Sequence, residues 1–406
     1  MTKQRFVLLV MLSLAPCVSS RADELRPVTV QTAIALALTN NPELRVLEAR
    51  IETARRNAGV AKAYPFNPEL TYDEGLERHF GVSQTLEWPG KRALREAIAN
   101  QDIPAAQAAL DGFRVVLAAE VRAKFYEFLA ARKGVELREH ERQLAERVLN
   151  AARKRVEGAF APVTERTSAE VGLVRARRQS RAAQKRLALT RAELNVLLGC
   201  DAQAPIEPQG ELTAPQMEVS LSTLIEAARA RHPDLRAARL DLEKRGLSVR
   251  LARKAGAPDI TIQPFYEQDT KGPDDKVGIG LTVPLPIWNT SRPKVAAAEA
   301  ELREAEANLE KKSREVAANI AKAFTAWEAA REDLATFSPE LQRRMESELA
   351  AAEQRYTSGE LPFLLWLELQ RTYFDYMNEY YQSLAAARDT QSDLEKASAA
   401  SLEELK

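Results

Sequence analysis

Apolar side chains recur every seven residues along much of the chain, and charged residues occupy most of the positions between them. Two such stretches share one plan, which is a Thr/Ser-rich start, an Asn-Pro or His-Pro pair and then the heptad. The seam positions are Leu44, Leu47, Ile51, Ala54, Ala58 and Ala61 in the first stretch and Leu235, Ala238, Leu242, Arg245, Val249 and Ala252 in the second. Mostly small and aliphatic residues at this spacing predict helices that pack closely on other helices.

Each of these helices gives way to two short extended segments. The segments are residues 67–72 and 81–86 in the first copy and residues 257–262 and 278–283 in the second. They alternate with a period of two or combine Gly with β-branched side chains, as strands do. Polar connections lie between them, with Asp73, Glu74 and Arg78 in the first copy and residues 271–275 in the second. The sequence therefore predicts two β-hairpins.

A proline ends each predicted hairpin, and a long helix resumes after it. The junction residues are Trp88, Pro89, Gly90, Lys91 and Arg92 in the first copy and Pro284, Pro286 and Trp288 in the second. The helix that follows in the second copy has a regular heptad of Val295, Leu302, Leu309, Val316 and Ala323. In the first copy Pro104 predicts a kink or break near residues 101–103, because proline cannot continue the interior of a helix.

Both long helices end in a tight turn that leads into a return helix. Gly158 and Pro162 mark the first turn, and Gly359 and Pro362 mark the second, with the two prolines 200 residues apart. The first return helix has a seam of small residues and leucines and stops at Gly199, a plausible C-cap. The predicted divisions of the chain are a signal peptide at 1–22, a first repeat at 23–203, a linker at 204–219 and a second repeat at 220–406.

The first 22 residues have the three-part pattern of a secretory signal peptide. Two basic residues precede an apolar run at residues 6–15, and Ser20 and Ala22 supply the small residues of the cleavage site. The alternative is a lipid anchor at Cys17, which follows Leu-Ala-Pro as in a bacterial lipobox. No apolar stretch reaches the length of about 20 residues that a membrane-spanning helix needs. A membrane-spanning form would therefore use β-strands.

The composition narrows the function. The 406 residues include 58 basic and 58 acidic side chains, which argues against nucleic-acid binding because phosphates are neutralised by a basic excess. The three His and two Cys lack metal-ligand spacing, and no phosphate loop, dinucleotide fingerprint or nucleophile elbow is present. We expect neither an enzyme nor a cofactor. His79 would take part in a metal site only if several copies faced one axis, and we expect His140 on a helix surface and His232 at a helix cap.

Two hairpins cannot pair their own outer edges, so a single protomer would leave strands exposed. Oligomerisation solves this, because strands shared between subunits can close into a barrel, the β architecture that spans a membrane. The repeated order of helix, hairpin, helix, turn and helix resembles the TolC family of outer-membrane efflux channels over nearly all of the mature chain. Residues 84–92, which end in Gly-Lys-Arg, and residues 283–289 are similar to its heavy-metal (CzcC-like) branch.

The resemblance implies a mainly α fold with a small β part. Each subunit of a homotrimer would give four strands to one shared β-barrel, surrounded by outer-membrane lipid, and its helices to a long coiled-coil α-barrel in the periplasm. The channel would be a passive conduit for heavy-metal cations, joined by a periplasmic adaptor to an inner-membrane pump of the resistance-nodulation-division class. The implied docking residues at the helical tips are Gly158, Pro162, Glu165, Gly359 and Pro362, and the acidic candidates there are Glu157, Glu165, Glu360 and Glu368.

Other functions share part of this plan. An outer-membrane component of drug efflux or of type I secretion would have the same architecture with a different cargo. A non-channel periplasmic adaptor belongs to another class, and it also has long antiparallel helices. Adaptors normally have one helical hairpin, whereas the helical unit and the β-hairpin are both duplicated here, so the channel is the favoured interpretation.

Overall fold

The computed structural model describes residues 26–75, 77–215, 219–269, 272, 275–285, 287 and 290–400. The predicted signal peptide with Cys17, and the junction residues Pro286 and Trp288, lie outside the described residues. The first repeat and the connection after it contain β1 (Arg26–Val28), α1 (Val30–Asn40), α2 (Pro42–Lys62), β2 (Glu69–Glu74), β3 (Glu77–Leu86), α3 (Lys91–Asn100), α4 (Asp102–Glu157), α5 (Val163–Leu197) and β4 (Ile206–Pro208). The second contains α6 (Leu221–Arg231), α7 (Pro233–Lys254), β5 (Ile260–Asp269), β6 (Lys276–Thr282), α8 (Arg292–Ala335), α9 (Pro339–Ser358) and α10 (Phe363–Ser398).

The Thr/Ser-rich starts of the two repeats are helix N-caps. Thr29 Oγ1 accepts a hydrogen bond from the Thr32 amide at 3.3 Å at the start of α1, and Ser220 Oγ accepts one from the Thr223 amide at 3.2 Å at the start of α6. Each bond satisfies a backbone donor that the first helical turn leaves unpaired. His232 caps α7 as predicted, with Nδ1 accepting from the Asp234 amide at 3.2 Å.

The predicted break in the first copy occurs at Gln101, between α3 and α4. Pro104 then lies in the first turn of α4, where its missing N–H would have had no helical partner. A second break, not expected from the sequence, separates α8 from α9. Ser338 caps α9 with its hydroxyl, and Pro339 is the first residue of that helix. In the described part of the first repeat, α4 runs from Asp102 to Glu157 without such a break.

The chain divides into two units, each with its own packing. The helical unit comprises residues 26–42, 117–215 and 325–393. Its main core is formed by apolar residues of α4, α5, α9 and α10, including the fully buried Ala152, Tyr356 and Trp366. The return-helix seam is confirmed, since its members Leu173, Ala176, Ser180, Thr190 and Leu194 are buried. Within residues 204–219, β4 pairs in parallel with β1, a contact that the sequence did not predict.

The sheet unit comprises residues 43–116, 219–324 and 394–400. The heptad of α2 is buried as expected at Leu44, Leu47, Ile51, Ala54 and Ala58. Both predicted hairpins are present, and they join in one antiparallel sheet of order β2-β3-β5-β6. Strands β3, β5 and β6 are longer than predicted and β2 is shifted by two residues, so Asp73, Glu74 and Arg78 belong to strands rather than to a connection. The central ladder β3–β5 connects the two repeats.

Candidate functional sites: the two-faced sheet, its junction and the helix tips

One face of the four-stranded sheet is apolar over most of its length. Paired residues in antiparallel strands share a face, and the ladders place on this face Leu70, Tyr72, Phe80, Val82, Leu86, Ile260, Ile262, Pro264, Tyr266, Val277, Ile279 and Leu281. On the edge strand β6 the side chains of Val277 and Ile279 are 83% and 77% exposed. An exposed apolar surface of this extent is the kind that another molecule or a lipid covers.

Polar residues interrupt the apolar face at two places. Glu74, Arg78 and Gln268 lie together at the hairpin-turn end, where Arg78 Nε is 3.5 Å from the Glu74 carboxylate. Gln84 lies nearer the helix end, and its Nε2 donates to the backbone oxygens of Phe66 at 3.3 Å and Thr85 at 3.0 Å. The first group is at the margin of the face, and the second has its donor satisfied internally.

The opposite face is mostly polar. It presents Glu69, Thr71, Asp73, Glu77, His79, Ser83, Thr85, Thr261, Gln263, Glu267, Lys276 and Thr282. His79 Nδ1 is 3.3 Å from Glu267 Oε1, and Lys276 Nζ is 3.2 Å from Glu77 Oε1. Among the described side chains of this face, four carboxylates stand against one lysine and one histidine, so the surface is acidic.

Strands β2 and β6 form the two edges of this sheet. Within the described residues each pairs on one side only, which leaves a row of backbone donors and acceptors on the other side. The same two strands carry the exposed apolar residues Leu70, Tyr72 and Leu281. Such edges are sites where strands of another chain can add.

At the junction after the first hairpin, Lys91 is buried although it begins a helix. Its Nζ donates to the Ala257 carbonyl oxygen at 2.7 Å and to Asp259 Oδ1 at 2.8 Å. The Trp88 amide donates to the same Asp259 oxygen at 2.7 Å. These bonds connect the first repeat with the entrance to β5 in the second. Lys91 therefore has a structural role, while Arg92 is exposed.

The Asp259 carboxylate is held in its ionised form. Partial burial opposes the charge, but the Lys91 ammonium and the Trp88 amide together outweigh this effect and lower the pKa of Asp259 below its ordinary value. Sequence reasoning missed Asp259 as a site residue. A signal for it existed, because Ala-Pro-Asp-Ile at 257–260 repeats the Asn-Pro-Glu-Leu of residues 67–70.

A second ion pair at the junction fixes Glu87. Arg95 Nη1 and Nη2 donate to the two carboxylate oxygens of Glu87 at 2.6 and 3.0 Å, and the Glu87 side chain is buried. Nearby Gly90 has φ of +90°, and an added Cβ there would lie 2.2 Å from the Lys254 ammonium nitrogen. The glycine of the Gly-Lys-Arg motif is thus required by backbone conformation. The exposed Trp88, Pro89 and Pro284 complete the described part of the junction.

The two tip turns differ in backbone conformation. Gly359 caps α9 in the left-handed region with φ of +86°. In the first turn the left-handed residue is Ala159, with φ of +59°, and not Gly158. A Cβ added at Gly158 would lie 2.7 Å from Cδ2 of the exposed Phe160, so a larger residue there would displace that ring. Pro162 is the N-cap of α5, and Pro362 directly precedes α10.

A buried polar network lies behind the tip turns. The Tyr356 hydroxyl donates to Glu165 Oε1 at 2.7 Å, and Arg155 Nε lies 3.4 Å from the same oxygen. Arg155 Nη1 also donates to the Tyr356 carbonyl oxygen at 2.8 Å. Burial and the hydrogen bond to the carboxylate raise the pKa of Tyr356 far above its usual value. Glu165, predicted as a docking residue, is therefore engaged within its own chain, with Trp366 stacked on Tyr356.

The outer surface of the tips is partly apolar. Phe160 and Leu364 are 82% and 76% exposed, and Val163 and Leu365 are also exposed. The other acidic candidates, Glu157, Glu360 and Glu368, are exposed. Exposed apolar side chains with acidic neighbours on a helical hairpin suit the docking of another protein.

His140 and Cys200 contact neighbouring residues of their own helices and turns or of helices packed beside them. His140 is exposed and contacts Phe374 edge to face, as expected for a helix surface, and Cys200 is half-buried next to the Gly199 cap, which has φ of +68°. Across the residues that the structure describes, no three His, Cys, Asp or Glu side chains converge to hold a metal ion. None of the helices in the described part of the chain is both long enough and apolar enough to cross a membrane.

Comparison with known proteins identifies the family to which this repeated arrangement belongs. The chain is 27% identical over 355 residues to the cobalt-zinc-cadmium resistance protein CzcC of Cupriavidus metallidurans, covering 86% of this chain and 84% of the relative. It is 27% identical over 341 residues to protein CyaE of Bordetella pertussis, covering 76% and 71%. A membrane protein of Pseudomonas aeruginosa has a similar fold, with a TM-score of 0.76 at 22% identity over 91% of this chain and 90% of that one. The profile of the outer membrane efflux protein family matches residues 33–200 and 224–400, and the chain belongs to this family.

Proposed function

We propose that the protein is the homotrimeric outer-membrane channel of a tripartite system that exports heavy-metal cations. Its family is one of outer-membrane efflux channels rather than of enzymes, and the protein is located in the outer membrane with a large periplasmic part. The observation that carries the proposal is the four-stranded sheet, which is apolar on one face, polar on the other and, among the described residues, unpaired at both edges.

The sheet edges support the trimer. If β2 of one subunit pairs with β6 of the next, three sheets close into one barrel without a free edge. The apolar face then contacts lipid and the polar face lines a water-filled lumen, as in outer-membrane barrels. The exposed Val277 and Ile279 would meet acyl chains, and the polar group around Arg78 would lie at the outer margin of the bilayer.

The cargo is inferred from charge and from likeness to a metal-resistance protein. Carboxylates of Glu69, Asp73, Glu77 and Glu267 dominate the described side chains of the polar face, and an acidic lining favours cations over anions. The relative CzcC is named for resistance to cobalt, zinc and cadmium. The acidic lining favours cations over anions, and the likeness to CzcC favours metal ions over organic drugs or secreted protein.

The partners are inferred from the tips. A passive channel has no energy source of its own, and in the proposed system an inner-membrane pump of the resistance-nodulation-division class would drive export. The exposed Phe160 and Leu364 offer apolar contacts to a periplasmic adaptor that would join pump and channel. Gly158, Pro162, Gly359 and Pro362 shape the turns that present these side chains.

Two experiments test the proposal. The protein extracted from the membrane fraction should run as a trimer in detergent and conduct ions in planar bilayers, with cation selectivity that decreases in Glu267→Gln and not in Glu74→Gln, which changes the opposite face.

A deletion strain should lose resistance to zinc, cobalt or cadmium and regain it with the wild-type gene. Sensitivity to drugs without sensitivity to metals would contradict the cargo, and a water-soluble monomer without conductance would contradict the channel.

A further inference from the structure

Phe265 is the large apolar exception on the polar face of the sheet. It lies in the middle of β5 and pairs with a glycine on each neighbouring strand, Gly81 of β3 and Gly278 of β6. Its ring stacks on His79 at a centroid distance of 5.3 Å and an interplanar angle of 25°. An aromatic side chain between two glycines has space to lean over the neighbouring strands instead of pointing away from the sheet.

The ring uses this room. A Cβ added at Gly278 would lie 2.4 Å from Phe265 Cζ and 2.8 Å from Cε1, so the ring covers the glycine backbone directly. On β3 a Cβ added at Gly81 would lie 3.1 Å from Gln263 Nε2 and 3.2 Å from His79 Nε2. The side chains of Phe265 and His79 therefore both lie close to the sheet, with their rings stacked on each other.

We propose that Phe265 helps to set the width of the channel, because glycine at position 278 leaves space for its ring to lean over the neighbouring strand. This inference rests on the proposed function, in which the polar face lines the lumen of a trimer. Neighbouring strands are held about 4.8 Å apart by their ladder, so a side chain at position 278 cannot push the ring sideways through the sheet. The ring would rise into the lumen instead, three times in each trimer, and narrow the passage at that level.

Gly280 supplies a matched control on the same strand and the same face. A Cβ added there would have ordinary contacts with the Gln263 backbone oxygen at 3.5 Å and Cβ at 3.7 Å. Glycine at 280 is therefore not required for space, and its replacement by alanine should leave Phe265 in place.

Thiol labelling from outside intact cells reports on the width of the proposed lumen at Phe265. The reagent does not have to pass the helical tips on its way. Ser83→Cys, in a Cys200→Ala background, places a thiol on the polar face two residues beyond the level of Gly81, on the side of the helices. A reagent added outside enters at the hairpin turns and must pass Phe265 to reach it. Labelling rates of a small methanethiosulfonate and of a bulky polymer-linked maleimide are then compared in otherwise identical cells.

We expect Gly278→Ala to slow the bulky reagent by at least about threefold while the small reagent keeps its rate. Gly280→Ala should match the parent with both reagents, and adding Phe265→Ala to Gly278→Ala should restore the bulky rate. An unchanged small-reagent rate also shows that the variant has folded. A purely structural role, in which the ring covers a glycine of an edge strand, would lower the amount of folded channel without selecting by reagent size.

The outcomes separate the two proposals. Equal bulky-reagent rates in Gly278→Ala and the parent would overturn the role of Phe265 and leave the channel intact. Slowing by Gly280→Ala to the same degree, or no rescue by Phe265→Ala, would overturn it too. If neither reagent reaches Ser83→Cys in the parent, the polar face is not a lumen, and both the proposed channel and this inference fail.

Discussion

The Lys91→Met substitution tests whether the junction ion pair holds the two repeats together. The Lys91 side chain is 11% exposed, and its ammonium contacts the Asp259 carboxylate and the Ala257 carbonyl oxygen. Methionine has a similar length and flexibility, so it fills the same space without the charge. The variant therefore removes two hydrogen bonds and leaves Asp259 with the Trp88 amide as its remaining donor there.

The expected cost is about 2 kcal/mol of unfolding free energy. A hydrogen bond to a charged group contributes about 1.5–3 kcal/mol, and removing one partner of a fully buried ion pair costs about 3–5 kcal/mol. Asp259 is a quarter exposed, so water screens the orphaned carboxylate and the value falls toward the lower limit.

Urea unfolding of the detergent-solubilised protein measures this cost. Arg56→Met is the control, because Arg56 pairs with Glu52 at 2.7 Å on an exposed helix surface with 82% of the side chain in solvent. Exposed pairs of this kind contribute about 0.5 kcal/mol or less. Asp259→Asn completes a double-mutant cycle with Lys91→Met, and a coupling energy near zero would refute the argument.

The effect should also depend on pH. The pKa of Asp259 is lowered in the folded protein, so its ion pair stabilises the fold above the ordinary value of 3.8, and this contribution is lost as pH falls through the lower folded pKa. The stabilities of the wild type and Lys91→Met should therefore differ at neutral pH and converge in strong acid. A gap that widens on acidification would have the wrong sign.

Further substitutions test the faces of the sheet, the tip network and a helix cap. Ile279→Arg should cost about 2–4 kcal/mol if its face meets the bilayer centre, and Gln263→Arg on the polar face less than about 1 kcal/mol; equal losses of heat-resistant trimer on gels would contradict the assignment. Tyr356→Phe removes the donor to a buried carboxylate and should cost about 1–3 kcal/mol, read from thermal unfolding. Gly199 has φ of +68°, and an added Cβ would lie 2.8 Å from a backbone oxygen. Gly199→Ala should therefore lower the free energy of unfolding in urea by more than about 1 kcal/mol, whereas Gly134→Ala, in open space, should raise it by about 0.5 kcal/mol.

The sequence predicted the features that repeat at short range. The α2 heptad is buried at its expected positions because helical periodicity is encoded within a few residues. Strand ends were harder, since Asp73, Glu74 and Arg78 have turn-like polarity and yet continue the strands. Propensity alone cannot separate a loop from the solvated end of a strand. The break at Ser338 was missed although Ser-Pro is a helix-start signal.

The candidate sites were harder to predict because their contacts join distant positions. Lys91 and Asp259 are 168 residues apart, and Glu165 and Tyr356 are 191 apart. The family resemblance implied a docking role for Glu165, and the structure shows its side chain buried beside the Tyr356 hydroxyl. Alignment of the repeats draws attention to Asp259, because its counterpart Glu69 is also acidic, but not to Tyr356, whose counterpart is Val156.

The duplication has a direct consequence for assembly. In the sheet the inner strands β3 and β5 come from different repeats, while β2 and β6 remain as edges. A single repeat would have both strands of its hairpin at an edge, and closing a barrel of the size proposed above would take six copies and six intermolecular ladders. In the proposed trimer, the duplication makes every second one of these six ladders an intrachain contact, the ladder β3–β5, and the ion pair of Lys91 with Asp259 reinforces it. Because an intrachain ladder forms without loss of translational freedom, the fused chain leaves half as many edges exposed before assembly.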